Sequence, residues 1–192
     1  MRNVDKPWYN WIVENPENRE AKIIAACKTG EMESFVYLYD RYVEKIYKFL
    51  YFRTFDQELA EDITSQVFLK VMNKISSFDQ SKGTFQSWVY QIARNLLIDE
   101  YRRKKPTDNI EAHFDLASDI KLESETGQTL TNEALQKLLM TLPAESQELV
   151  TMRLWEGMPY SEIAAITGKT EGSLKMQFSR IIDQLQKHAH LL

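Results

Sequence analysis

Between Phe78 and Lys105 the sequence interleaves rings with cations: Phe78, Phe85, Trp88, Tyr90 and Tyr101 alternate with Arg94, Arg102, Arg103, Lys104 and Lys105. That pairing suits single-stranded nucleic acid, because rings stack on unpaired bases while cations follow the phosphate backbone. At helical spacing Trp88 and Tyr101 fall on an inner face, so stacking is expected of the 76–83 loop and its edge. A second constellation follows Pro159. Ser161 is a candidate N-cap for a short helix with Ile163, Ala164 and Ile166 inside; Gly168 permits a tight turn, and Thr170 can cap a further helix. That last helix carries Leu174, Phe178, Ile181, Ile182 and Leu185 on one face and Ser173, Lys175, Met176, Gln177, Ser179 and Arg180 on the other. Short helix, glycine turn and second helix form a helix-turn-helix, whose second helix can enter a major groove and meet phosphates and base edges. An ordinary helical hairpin with a solvated face is the competing reading of that segment taken alone.

Other reactive residues assemble nothing. Cys27, the one cysteine, lies in an apolar helical run with no histidine near it in sequence, and reads as a small buried hydrophobe. Gly168-Lys169-Thr170 resembles the tail of a phosphate-binding loop, but Ile163 stands where the motif needs glycine and no strand precedes it. His188 and His190 fall at a fraying terminus, and only His113 remains elsewhere. No nucleophile–base pair or metal cluster is legible, so neither an enzyme nor a cofactor is expected.

The elements that position these residues are helical. No proline lies between Pro16 and Pro106, and the glycines there are Gly30 and Gly83 alone, over a stretch dense in apolar residues three and four apart. Phe35, Leu38, Tyr39, Tyr42, Ile46, Phe49 and Leu50 make one stripe. Ile63, Val67, Leu69, Val71 and Ile75 belong to a second helix begun near Asp56 or Asp62. A third carries Trp88, Val89, Ile92, Ala93, Leu96, Leu97 and Tyr101 on one face and Gln91, Arg94, Asn95, Ile98, Arg102 and Lys105 on the other. The expected fold class is all-α.

With 192 residues the chain holds one large or two small domains. Net charge is -4, which does not announce a nucleic-acid binder, but the charge is unevenly spread. Residues 85–105 carry +3, while residues 106–133 carry -6, from Asp108, Glu111, Asp115, Asp119, Glu123, Glu125 and Glu133 against Lys121. Residues 106–128 therefore read as an acidic linker between two helical domains, at 21–105 and 129–192, behind an N-terminal extension at 1–20. Apolar runs reach only five residues, too short for a membrane span, and the N-terminus lacks the apolar run of a signal peptide, so the cytoplasm is expected.

Three blocks then resemble a bacterial RNA polymerase sigma factor: Asp62-Ile-Thr-Ser-Gln-Val-Phe68, Trp88-Val-Tyr-Gln-Ile-Ala-Arg-Asn95-Leu-Leu-Ile-Asp99-Glu-Tyr-Arg102-Arg103, and the helix-turn-helix after Pro159. Two short helical domains and a linker are similar to the extracytoplasmic-function (ECF) group of the sigma-70 family. The resemblance spans roughly residues 20 to 188.

The resemblance implies the following roles. Asp62, Ser65, Gln66, Phe68 and Lys70 would dock on the clamp helices of the polymerase largest subunit, with the beta subunit also contacted. Phe78, Asp79, Lys82, Arg94, Asn95, Arg102, Arg103 and Lys105 would open and read the minus-ten promoter element. Thr170, Ser173, Lys175, Gln177 and Arg180 would read the minus-thirty-five element, while the acidic linker threads toward the active-site and RNA-exit channels. A membrane-associated anti-sigma factor is a further implied partner, with no membrane insertion by this chain. The chain departs from the family pattern in having Ser65 where glutamine is common, with Gln66 one place later. It also has Gln177 and Ile182 where arginine is frequent, which leaves fewer DNA contacts, so the family's promoter sequence does not carry over. The alternative is a sigma-like decoy that sequesters a regulator without touching DNA. The aromatic patch Trp8-Tyr9-Asn10-Trp11 receives no role.

Overall fold

The computed structural model describes residues 16–104 and 139–189, with side chains over 18–104 and 139–186. The expectations for residues 8–11, Lys105, the acidic linker and His190 lie outside the described residues. Helix α1 (Pro16–Lys28) opens on a proline, which suits a first turn whose N–H would be unpaired anyway. It starts before residue 20, so the end of the segment read as an extension belongs to the first helical unit.

Helix α2 (Phe35–Thr54) stops because Phe55 turns left-handed at φ 49°, and its N–H reaches the Tyr51 carbonyl at 2.7 Å. Asp56 then starts α3 (Gln57–Lys74) by accepting the Leu59 N–H at 3.0 Å, which decides between the two acids that the sequence offered. Two short 3-10 turns, Ile75–Ser77 and Gln80–Lys82, build the loop before α4 (Phe85–Lys104). Thr84 caps α4 through the Ser87 N–H at 3.1 Å.

Helices α2, α3 and α4 meet around Leu38, Tyr42, Ile46, Phe49, Leu50, Ile63, Val67, Val89, Tyr90 and Leu97, all buried. Rings lock the layers together: Phe49 meets Tyr90 edge-on at 5.0 Å, and Tyr42 lies 5.5 Å from Phe85. Each such side chain contributes roughly 1.5–3 kcal/mol on burial. Helix α1 adds Ile24 and Cys27 to this core. Its Glu20 accepts the Tyr42 hydroxyl at 2.7 Å and pairs with Arg41 at 3.2 Å. Leu69 breaks the expected stripe; it is 57% exposed, because the inner face of α3 runs through Ile63, Val67 and Val71 and leaves residue 69 on the far side.

The second unit contains α5 (Ala144–Val150), a π-helical turn (Thr151–Trp155), α6 (Tyr160–Thr167) and α7 (Glu171–Ala189). Its core is Leu139, Leu142, Leu149, Val150, Met152, Met158, Ile163, Ile166, Leu174 and Ile181. Buried Gln147 donates to the Leu139 and Leu142 carbonyls, both at 3.0 Å, and so satisfies a helix end that apolar side chains could not. Ser161 is not an N-cap: α6 begins at Tyr160, after an extended Pro159, with no side-chain cap, so Ser161 sits inside the first turn. Every regular element among the described residues is helical, and none is long and apolar enough to cross a membrane.

Candidate nucleic-acid interface

The outward face of α3 shows Asp62, Ser65 and Gln66 to solvent, with Lys70 half-buried beside them. Phe68 does not join them. Its ring is buried, edge-on to Tyr39 at 4.8 Å, because position 68 follows Val67 onto the α2-facing side. In its place α3 exposes Leu69 and Met72, and α2 exposes Val36 and Tyr39, an apolar surface that the stripe reading did not isolate.

The loop before α4 is held from within. Asp79 accepts the Ser81 N–H at 3.0 Å and the Ser81 hydroxyl at 2.7 Å, and these bonds hold its carboxyl below the ordinary range. Lys82 stands 3.6 Å from the same carboxylate and is exposed. Phe78 is not a stacking platform: it is buried, 5.2 Å from the Trp88 ring and 5.4 Å from Phe85, with the Lys28 ammonium bonded to its carbonyl and lying over its ring. The reason is burial competition, since the ring fills the gap between α1 and the start of α4. Beside it a pocket of about 170 Å³ opens, lined by Asp79, Lys82, Thr84, Trp88 and Gln91 among others. Its dimensions and mixed polar and aromatic lining suit a single planar group.

Along α4, Asn95 is exposed. Arg102 lies 3.7 Å from Asp99 and Arg103 lies 2.7 Å from Glu100, surface pairs that yield readily to a competing anion. Arg94 is placed differently from the sequence expectation of an open cationic face. Its Nε donates to Glu148 Oε1 of α5 at 2.9 Å, with the two side chains only 21% and 3% exposed. Burial pushes the Glu148 carboxyl up, against the pull of Arg53 and Arg94; Arg53 is itself buried beside them.

Further contacts join the two units. Lys45 pairs with Glu156 at 2.8 Å, Thr84 donates to Glu162 at 3.0 Å, and Gln91 donates to the Ala165 carbonyl at 2.9 Å. Phe52 stacks on Trp155 at 5.4 Å. Glu148 and Arg53 carried no sequence signal, because each sits in a helical pattern where a solvated position reads the same as a buried one.

In the helix-turn-helix, Gly168 ends α6 left-handed at φ 75°. Thr170 caps α7 by accepting the Ser173 N–H at 3.3 Å, as expected. Thr170, Ser173, Lys175 and Arg180 are exposed along α7, Lys175 standing 3.6 Å from Glu171. Gln177 is half-buried instead, its amide shared between Ser146 at 3.4 Å and Lys169 at 3.3 Å. Sequence reasoning could not see this, because it depends on how α5 packs across the turn.

Two family models match the chain, and they fall on the two helical units: Sigma-70 region 2 over residues 38–107, and Sigma-70, region 4 over residues 132–185. Among curated proteins, the ECF RNA polymerase sigma factor BldN of Streptomyces coelicolor is 30% identical over 88% of this chain. The match spans 65% of that relative's own length. The ECF RNA polymerase sigma factor SigW of Bacillus subtilis is 27% identical over 86% of this chain and 94% of its own. Among solved structures, the sigma factor RpoE in complex with the anti-sigma factor NepR, from Bartonella quintana, has the same fold. It aligns with TM-score 0.65 at 22% identity over 81% of this chain and 96% of that one.

Proposed function

The chain belongs to the extracytoplasmic-function group of the sigma-70 family, and we propose that it is a promoter-specificity subunit of RNA polymerase. It binds core polymerase, directs it to promoters and assists strand opening, as a regulator of transcription rather than an enzyme, in the cytoplasm with the polymerase. One observation carries this reading: the region 2 and region 4 matches coincide with two helical units that each present polar, DNA-compatible side chains.

The division of labour follows the surfaces. Asp62, Ser65, Gln66 and Lys70, flanked by exposed Leu69 and Met72, offer an amphipathic face to the clamp helices of the largest subunit. The pocket by Asp79, Lys82 and Trp88 takes an unpaired base of the minus-ten element, while Asn95, Arg102 and Arg103 follow the strand. Thr170, Ser173, Lys175 and Arg180 meet the minus-thirty-five duplex, and the beta subunit is a further partner within the core polymerase. An anti-sigma factor is a further partner, as the complex described for the RpoE relative suggests.

The test is in vitro transcription with core polymerase and a library of genomic fragments. The expected result is a set of defined start sites that share two upstream elements and appear only with this chain. Transcripts identical with and without the chain would remove the reading.

A further inference from the structure

The outward face of α7 is centred on an apolar residue. At about 3.6 residues per turn, the direction opposite buried Leu174 and Ile181 falls on Met176. Met176 is 59% exposed and is not part of the core. A lone exposed apolar side chain is ordinary on a protein surface and carries nothing by itself. The surroundings of Met176 set it apart. Its neighbours three and four residues away on the helix are Gly172, Ser173, Ser179 and Arg180, all exposed. The first three are small, so little else on this face competes for contact. Gly172 has ordinary helical backbone, and a Cβ built there meets no atom within 4 Å. Neither φ nor packing within the chain therefore calls for glycine, which weakens a helix. The space it leaves suits a surface brought against α7 from outside. Gln177, the long polar residue expected to read bases, is drawn off this face to Ser146 and Lys169. Lys175 and Arg180 remain on either side of Met176, placed for the phosphates that wall a groove.

We propose that Met176 reads a base: its thioether seats against the 5-methyl group of one thymine in the upstream promoter element, and Gly172 leaves room for the duplex to approach. The proposal rests on the promoter-binding reading above and adds the residue and the base. The chemistry selects that base. In the major groove thymine alone presents a methyl group, whereas the edges of guanine, adenine and cytosine present hydrogen-bond acceptors and amino donors. Methionine has no N–H to give an acceptor, and its sulfur accepts only weakly. Against those edges it strips water from polar groups and returns no hydrogen bond. Against a methyl group the same loss of water is favourable.

The experiment uses the full chain with core polymerase. Selection from a random duplex library gives the preferred upstream element. Each thymine of either strand in that element is then replaced singly by deoxyuridine, which removes the 5-methyl group and nothing else. One replacement should weaken wild-type binding about fourfold, the ~0.8 kcal/mol of one buried methyl group converted to affinity. The same replacement should leave Met176→Ala unaffected, while Met176→Leu, which keeps an apolar contact, should keep the sensitivity. Both changes fall at an exposed position, and circular dichroism checks that helicity is unchanged. Gly172→Ala should lose affinity for the element while it stabilises the helix, a pairing that a purely structural glycine does not give. An element indifferent to every 5-methyl group, or a sensitivity that persists in Met176→Ala, would overturn the assignment of Met176. Undiminished binding by Gly172→Ala would overturn the close approach and the contact with it. Failure of the holoenzyme to select any upstream element is a separate outcome: it removes the promoter reading, and the thymine contact falls with it.

Discussion

Two glycines four residues apart in the helix-turn-helix should respond to the same substitution with opposite signs. Gly168 ends α6 at φ 75°, and Gly172 lies in the first turn of α7 with ordinary helical backbone. A Cβ built at either position meets no atom within 4 Å, so neither replacement creates a clash and the backbone alone decides. At Gly168 an alanine must hold the left-handed region, at a cost of about 1–2 kcal/mol; the reduced freedom of the unfolded chain returns about 0.4–1 kcal/mol of that. Gly168→Ala should therefore destabilise by about 1 kcal/mol. At Gly172 the helical backbone suits alanine, and Gly172→Ala should stabilise by up to about 1 kcal/mol. Each change corresponds to several degrees in the melting temperature of a unit this small. Urea unfolding of the full chain, followed by circular dichroism at 222 nm, reads both variants. Shifts of the same sign, or a neutral Gly168→Ala, would refute the argument that this turn depends on left-handed backbone. Because the turn fixes the angle between α6 and α7, Gly168→Ala should also weaken binding to duplex promoter DNA, while Gly172→Ala tests contact by α7 alone.

Asp62→Arg with Gln66→Arg should weaken binding to core polymerase by about 2 kcal/mol or more at unchanged helicity, measured by titration; unaltered affinity would remove this face of α3 from the interface. Lys175→Ala should weaken binding to all promoters alike and lower the slope of log affinity against log salt by about 0.9, if its ammonium meets one phosphate. The contribution of Glu148 to the packing of the two units should grow on acidification. Burial raises the Glu148 carboxyl despite Arg94 and Arg53, with Glu145 also near, whereas separation of the units returns it toward its ordinary 4.5. Protons thus bind the packed form more tightly. The added stability is complete below 4.5 and is lost as pH rises through the raised value. Fluorescence energy transfer between labels on the two units, titrated downward from neutral pH, should report closing; opening over that range would contradict the sign.

Much of the candidate site was legible because amphipathic spacing separates faces. The spacing of Ile63, Val67 and Val71 put Asp62, Ser65 and Gln66 outside, and that of Leu174 and Ile181 did the same for Ser173, Lys175 and Arg180. Misreadings fell on residues next to a face boundary. Phe68 and Phe78 are large enough to be drawn into the core from its edge, whereas Leu69 was left outside it. Ser161 was displaced as a cap because Pro159 lets the helix start one residue sooner.

The sequence by itself determined the helical class, the helix-turn-helix and the family, since periodicity, glycine and proline placement and local motifs are properties of neighbouring residues. The acid that starts α3 was narrowed to two candidates by sequence and chosen by the backbone, where Phe55 turns left-handed and leaves Asp56 in position to cap. Only the tertiary structure decided which polar groups are spent internally. Gln177 is shared with Ser146, 31 residues away, and with Lys169, 8 away, while Arg94 is taken by Glu148 across 54 residues of chain. A guanidinium on an outward helical face reads the same whether it meets water, a phosphate or a distant carboxylate. Its partner is chosen by the packing of one helical unit against the other, which no local pattern encodes.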